Sequence, residues 1–403
     1  MIGFEIPQDL EAIRRRVAEF VQTEVIPVEP RVTEENFEEV LTELRKRARE
    51  AGLWTPHLPP EWGGMGLRAL GMALVSQELG ASGLASLAMN VMAPDEGNMH
   101  LLLEAGREDQ KDRYLRPLAD AEIRSCFAMT ERDVASSDPR ELRTTAVLEG
   151  DEWVINGEKW FTTGAAGAAF AIVVAKTDPE NENPYLQYSL FIVEADTDGW
   201  EVVREIPVMG SHGPGGHCEV RLTECRVPFD AMLGERGTGF VLSQKRLGMG
   251  RIGHAMRWIG VSQRALDLAA QRALEREAFG KRLAEHQAIQ WMIADSAIEL
   301  YASRLMVLHA AWKIDHDLDH RQEISMVKVF VAEALGRIVD RALQIYGSLG
   351  VTDDVPIARF YADARAARIY DGPSEVHRMV IARNAFKSLL KEGSTKPATG
   401  GIG

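Results

Sequence analysis

The stretch RIYDGPSEVHR, residues 368–378, holds a carboxylate able to do either of two things. Asp371, followed by Gly372 and Pro373, stands where a helix begins. Asp is among the best N-cap side chains, because its carboxylate accepts the unpaired amides of a first helical turn. The same group could instead take a proton from a substrate. The two roles oppose each other, since a carboxylate that accepts amide hydrogen bonds becomes a weaker base. The local residues leave both open.

Other chemically capable clusters are simpler to place. SHGPGGHC sets His212, His217 and Cys218 close together, but no spaced partner pair elsewhere completes a metal site, so a polar loop is the better reading. EWGGMG and GERGTG are glycine-rich, yet neither ends in Lys-Ser/Thr nor sits in a βαβ unit, so neither is a P-loop or a dinucleotide fingerprint. There is no GxSxG nucleophile elbow. SCFAMTERDVASSDPRELRTTA (125–146) and GDEWVINGEKWFTTGA (150–165) carry more. Loops offering Thr and Ser hydroxyls and backbone amides can hold the phosphates and ring heteroatoms of an anionic, planar cofactor. Trp160 or Phe161 could pack on its ring. An ordinary turn-rich β domain with core aromatics has the same composition.

The elements that must position these residues change period twice. To about Ile123 the texture is helical: DLEAIRRRVAEFVQTEV places Leu10, Ile13, Val17, Phe20 and Val21 on one face, and FEEVLTELRKRAREAGL repeats the pattern. GLWTPHLPPEWGGMG (52–66) interrupts it as a shaped loop. From about Arg124 to Glu235 the period is that of strands. AFAIVVAKT and YSLFIVEA are β-rich runs, CEVRLTECRV alternates, and Asn156-Gly157 between apolar runs predicts a hairpin turn. From about Gly239 to Leu390 long apolar helices return, one of them stopping at Gly347 or Gly350, as in a bundle that could also pack against partner subunits. The expected order is therefore an N-terminal helical domain over 1–123, a middle β domain over 124–235, a C-terminal helical bundle over 236–392 and a flexible tail over 393–403.

Composition excludes more than it identifies. The 403 residues are 45% hydrophobic with eight Trp and thirteen Phe, enough for two or three cored domains. A net charge of -14 argues against a general nucleic-acid binder or a docker on anionic membranes. It leaves room for an anionic small ligand at a local cluster of Arg. Mean hydropathy is -0.17 and no apolar run is long enough to span a bilayer. The first residues lack a signal-peptide apolar core, and Cys126, Cys218 and Cys225 are too few for a disulfide framework. The expectation is a cytoplasmic protein.

Seven segments, in order and spacing, resemble the acyl-CoA dehydrogenase family: MTE…SSD, VINGEKWFTTG, VPFDAMLGE, RLGMGRIGHAMRWIGVSQRALDLA, EREAFGKRLAEHQAIQWMIAD, QIYGSLG and RIYDGPSEVHR. The resemblance covers nearly the whole chain. ASSD, GRIGHAMR and DGPSEVH are similar to the subgroup that includes human family members ten and eleven, without their appended kinase-like domain. It implies an α+β fold: an N-terminal helical domain, a middle β-barrel or sandwich domain and a C-terminal four-helix bundle, assembled as a homodimer or homotetramer. FAD would lie between the β domain and the C-terminal helices, its adenosine half crossing to a neighbour. By motif position Phe127, Met129 and Thr130 would line the flavin, Phe161 would stack near it where relatives usually carry Trp, and Thr163 would bond near N5. Ser136 or Ser137 would approach the pyrophosphate, the stretch being one residue longer than the usual motif. Arg276, Phe279, Gln287, Gln344, Gly347 and Ser348 match pyrophosphate and adenosine contacts, with Ser374 and Glu375 beside the adenosine. Arg251, Ser137 and Gly372 fall on the substrate side. Arg251 either meets the acyl-CoA or holds backbone carbonyls near Asp371, and the two are compatible.

For Asp371 the resemblance favours the base. Most relatives carry Glu here, and a minority carry the base on the helix that in this chain holds Gly250, which cannot serve. The implied reaction is oxidation of a medium- to long-chain or branched acyl-CoA to its trans-2-enoyl form. A base removes the Cα proton and FAD accepts the Cβ hydride, passing electrons on to an electron-transfer flavoprotein. The alternatives are a nitroalkane oxidase-like or other oxygen-using flavoenzyme of the same fold, and a non-catalytic flavin or acyl-CoA scaffold.

Overall fold

The computed structural model describes residues 5–209 and 215–393; His212 and the tail beyond Gly393 lie outside the described residues. Helices α1 (Gln8–Phe20), α2 (Phe37–Glu50), α3 (Ala69–Leu79), α4 (Gly83–Ala88) and α5 (Asp95–Ala105), with the short α6 (Glu108–Gln110) and α7 (Arg116–Ala119), come first. Eight strands then form one sheet: β1 (Ser125–Ala128), β2 (Thr145–Glu149), β3 (Glu152–Thr163), β4 (Phe170–Lys176), β5 (Tyr188–Glu194), β6 (Trp200–Glu205), β7 (His217–Pro228) and β8 (Met232–Leu233). After them run α8 (Gly239–Glu275), the small hairpin β9 (Glu277–Ala278) and β10 (Lys281–Arg282), α9 (Gln287–Asp315), α10 (Arg321–Tyr346), α11 (Ile357–Ala366) and α12 (Ser374–Gly393). Contacts group the chain into a sheet unit, Arg15–Arg68 with Ser82–Gly250, and a helical unit, Met1–Arg14 with Ala69–Ala81 and Arg251–Gly403.

In the sheet unit the order is β6-β7-β3-β2-β4-β5-β8, with β1 added parallel to β4. The AFAIVVAKT run is continuous rather than alternating because β4 is covered on both faces. Ala171, Val173 and Ala175 join a core with Trp153 and Phe191, while Phe170, Ile172 and Val174 join one with Leu101, Leu115 and Leu118 of the preceding helices. Each such fully buried large side chain contributes about 1.5–3 kcal/mol.

The predicted turn at Asn156-Gly157 is wrong. β3 runs straight through both residues, and the β2–β3 hairpin turns at Gly150-Asp151, with Gly150 at φ 66°. Gly157 instead marks an irregularity in the pairing of β3 with β7. A Cβ there would stand 2.3 Å from Thr144 Oγ1, so glycine is required by close approach, not by a turn. Asn156 meanwhile exchanges hydrogen bonds with Glu224, whose amide donates to Asn156 Oδ1 at 2.8 Å.

In the helical unit α10 is the axis. Ile324, Val327, Val331, Leu335, Ile338, Ala342 and Ile345 recur at three- and four-residue steps and are all buried. The helix stops at Gly347, whose φ of 63° a side chain would resist. α3 meets α8 through glycine: a Cβ on Gly260 would lie 2.1 Å from Gln77 O, and one on Gly80 the same distance from Arg257 O. Asp315 Oδ1 and Oδ2 accept the amides of Ala69 and Leu70 at 2.8 and 3.0 Å, which fixes the start of α3.

Candidate active site

Asp371 lies in the turn between α11 and α12, with φ at 55° and the following Gly372 at 92°. A left-handed Asp is a strained position that the surroundings must enforce. They do so through its backbone carbonyl, which accepts from Arg251 Nε at 3.0 Å and from His377 Nε2 at 3.2 Å. A Cβ on Gly372 would stand 2.8 Å from that same His377 nitrogen. His377 Nε2 must be the protonated nitrogen, because a carbonyl only accepts; Nδ1 then takes the Ser325 hydroxyl at 3.2 Å.

The carboxylate itself does not cap α12. The Ser374 amide donates to Arg368 O at 3.1 Å. Asp371 Oδ2 meets His254 Nε2 at 3.2 Å, and among the described residues Oδ1 has no hydrogen-bond partner. The side chain keeps 20% of its surface. His254 sits one helical turn along α8 from Arg251, between Trp258 and Tyr370, and Trp258 Nε1 donates to Tyr370 Oη at 2.9 Å.

Three basic groups surround this turn. Lys328, fully buried on α10, donates to Ala367 O at 2.6 Å. Burial pushes its ammonium down to about 8, with the Asp371 charge pulling the other way. Burial, reinforced by the Arg251 charge, pushes His377 down to about 4, so it is neutral at pH 7. Burial also lowers Arg251, which Asp371 partly offsets. The motif quoted above as GRIGHAMR contains His254, and the α10 sequence contains Lys328, yet sequence reasoning singled out neither. Their helical registers were visible; the turn that they meet was not.

The expected adenosine-side residues are spread over the same unit. Phe279 is at the tip of the β9–β10 hairpin, 99% exposed and at φ 52°, with Arg276 just before it. Gln287 opens α9, Gln344 lies in the last turn of α10, and Gly347 and Ser348 follow it. Glu375 is exposed in the first turn of α12, whereas Ser374 is fully buried.

In the sheet unit Met129, Thr130 and Ser136, among the expected flavin-side residues, adjoin one buried ion pair. Lys159 Nζ, wholly buried, donates to Glu131 Oε1 at 2.9 Å and to Met129 O at 3.1 Å. The Glu131 carboxylate also accepts the Arg143 amide and the amide and hydroxyl of Thr144 at 2.6, 2.9 and 2.7 Å. Burial opposes its charge, but Lys159 and these donors hold it below the usual carboxylate range. The Trp160 amide donates to Thr130 O at 2.7 Å, which completes the lacing of the MTE strand end to β3. Gly157 matters here, since it admits the Thr144 that feeds Glu131.

The two serines are not equivalent. Ser136 Oγ accepts from Glu131 N at 2.8 Å and donates to Glu131 O at 3.0 Å, so it is spent inside the loop. Ser137 is exposed. Phe161 is 45% exposed and at φ 54°, another strained aromatic, and Thr163 Oγ1 shares a hydrogen bond with His217 Nδ1 at 2.9 Å. Phe127, half-buried, lies under the Arg246 guanidinium at 4.2 Å. Exposed aromatics, a displayed hydroxyl and amides in a rigid loop suit a planar, phosphate-bearing cofactor.

Comparison with known proteins agrees over most of the chain. Residues 7–122, 126–225 and 237–386 match the families described as acyl-CoA dehydrogenase N-terminal, middle and C-terminal domains. The chain is 43% identical to FadE2 of Mycobacterium tuberculosis over 361 residues, covering 88% of this chain and 87% of that one. It is 39% identical to acyl-CoA dehydrogenase family member 11 of Gallus gallus, covering 91% of this chain but only 49% of that protein. The chain thus spans about half the length of such vertebrate relatives. Butyryl-CoA dehydrogenase from Megasphaera elsdenii superposes with a TM-score of 0.83 at 26% identity, covering 96% of this chain and 100% of the other.

Proposed function

Because the chain belongs to the acyl-CoA dehydrogenase family of FAD-dependent oxidoreductases acting on CH–CH donors, we propose that it oxidises an acyl-CoA to the trans-2-enoyl-CoA with Asp371 as base. The observation that carries this is the Asp371 turn. Its carbonyl is fixed by Arg251 and His377, and among the described residues its Oδ1 has no partner.

FAD, when bound, supplies the acceptor for the Cβ hydride. The rest is done by side chains and amides of this chain. Asp371 Oδ1 takes the Cα proton, while the backbone N–H at Asp371 is the donor assigned to the thioester carbonyl, stabilising charge as it develops. Arg251 holds the turn through a carbonyl, which supports its positioning role. Phe127, Met129, Thr130, Phe161 and Thr163 are assigned to the flavin. Ser137 takes the pyrophosphate and substrate side, because the Ser136 hydroxyl is already spent. Arg276, Phe279, Gln287, Gln344, Gly347, Ser348 and Glu375 are assigned to the adenosine half, with the buried Ser374 behind them. The substrate is a medium- to long-chain or branched acyl-CoA, the acceptor an electron-transfer flavoprotein, the setting cytoplasmic and the assembly a homodimer or homotetramer. Among the described residues no helix is long and apolar enough to cross a membrane.

One observation favours a second reading. The base is Asp where most of the family uses Glu, and nitroalkane oxidase, a relative on this fold, also uses Asp. Turnover with an acyl-CoA panel and an artificial electron acceptor decides. CoA-dependent turnover with slow reoxidation in air supports the dehydrogenase. Oxygen-driven turnover of a nitroalkane, with none of acyl-CoA, supports the oxidase.

A further inference from the structure

We propose that His254, set by Arg257, is the positioning residue that aims the Asp371 carboxylate, an assignment that rests on the reading of Asp371 as the base. The geometry fixes the proton on the imidazole. Arg257 Nη2 lies 3.2 Å from His254 Nδ1, and a guanidinium can only donate, so Nδ1 is the acceptor. The neutral ring then carries its hydrogen on Nε2, which faces Asp371 Oδ2 at 3.2 Å. Both ring nitrogens are thereby committed. His254 cannot itself be the base, and an imidazolium would turn an N–H against Arg257.

The arrangement has a purpose that Asp creates. A carboxylate has two equivalent oxygens, and on a side chain one methylene shorter than Glu there is less slack for the reacting oxygen to find its proton. Binding Oδ2 fixes the rotamer and leaves Oδ1 for the substrate. Trp258 flanks the imidazole at 6.1 Å between ring centroids, with planes 22° apart, and Tyr370 meets it edge-on at 5.4 Å, which narrows the swing of the ring. The charges nearby, Arg251 and Lys328, donate to the backbone carbonyls of Asp371 and Ala367, so the close contact of the carboxylate is with His254. A displacement of about 1 Å in a reacting group can cost a hundredfold in rate, which sets the scale of the effect.

The test has two parts. In 15N-histidine-labelled protein, with His254→Phe used to assign the signal, His254 should show the Nε2–H tautomer at pH 7.5, and its Nε2 signal should move in Asp371→Asn. An Nδ1–H tautomer, or an imidazolium, would overturn the proposal without any turnover being measured. In steady-state kinetics with an acyl-CoA, His254→Phe keeps the ring and loses the donor, and should lower kcat about ten- to hundredfold with KM little changed. His254→Gln, which can still donate, should recover most of that loss. Wild-type kcat in His254→Phe, or no recovery in His254→Gln, would contradict it. Undiminished turnover in Asp371→Asn would instead overturn the base assignment, while the tautomer would still read the Arg257–His254 pair.

Discussion

At the scale of single residues, the turn that carries Asp371 is built from conformations its neighbours impose. DGP announced a turn in the sequence, and the family resemblance is what proposes the base. The left-handed φ of Asp371 was not legible. Of the two donors on its carbonyl, Arg251 was among the expectations, whereas His377, in the helix that follows the turn, was not. Gly372→Ala should be costly, because its φ of 92° and the 2.8 Å approach of His377 leave no place for a methyl group. A loss of roughly 1–3 kcal/mol in urea unfolding is expected, with a lower kcat. Lys328 offers a pH test. Its folded value of about 8 lies below the ordinary 10.5, so between these the folded chain binds fewer protons than the unfolded one. Stability therefore rises with pH through that window, by at most about 1.4 kcal/mol per unit, and below it the cost of the buried charge is fully present. Relative to Lys328→Met, the wild-type melting temperature should climb from pH 8 to pH 10. A constant difference would show that the ammonium is not perturbed.

Among the elements, periodicity did most of the work. The two changes of texture mark where strands replace helices and helices return, since an apolar stripe at three- and four-residue steps cannot be confused over 26 residues with a strand. The β2–β3 turn was misplaced because Asn-Gly is a turn signal only when nothing crowds the glycine from the side. Here Thr144 does, and Gly150-Asp151 earlier in the chain makes the turn. The same misjudged glycine leads to the Glu131–Lys159 pair, which ties the segment after β1 to β3. Glu131→Ala would leave Lys159 buried without its counter-charge. It should destabilise the protein by about 3–5 kcal/mol in chemical denaturation and weaken FAD retention. A loss under 1 kcal/mol would mean that the pair is not the staple described.

For the whole molecule, charge and hydropathy excluded partners without naming any. What they could not display is the surface. On α9, Trp291, Ile298, Tyr301, Leu305 and Trp312 are exposed along one stripe, and Phe279, just before the helix in the chain, stands almost wholly in solvent. Such a stripe suits burial against a second copy of the chain. Ile298→Glu should lower the mass measured by light scattering toward that of the monomer, and an unchanged mass would locate the assembly elsewhere. The activity itself is tested most directly by flavin absorbance under anaerobic titration with a series of acyl-CoAs, wild type beside Asp371→Asn. The proposed base predicts bleaching of the oxidised flavin band in the wild type and none in the variant, with FAD still bound in both. Equal bleaching in the two proteins would contradict Asp371 as the base.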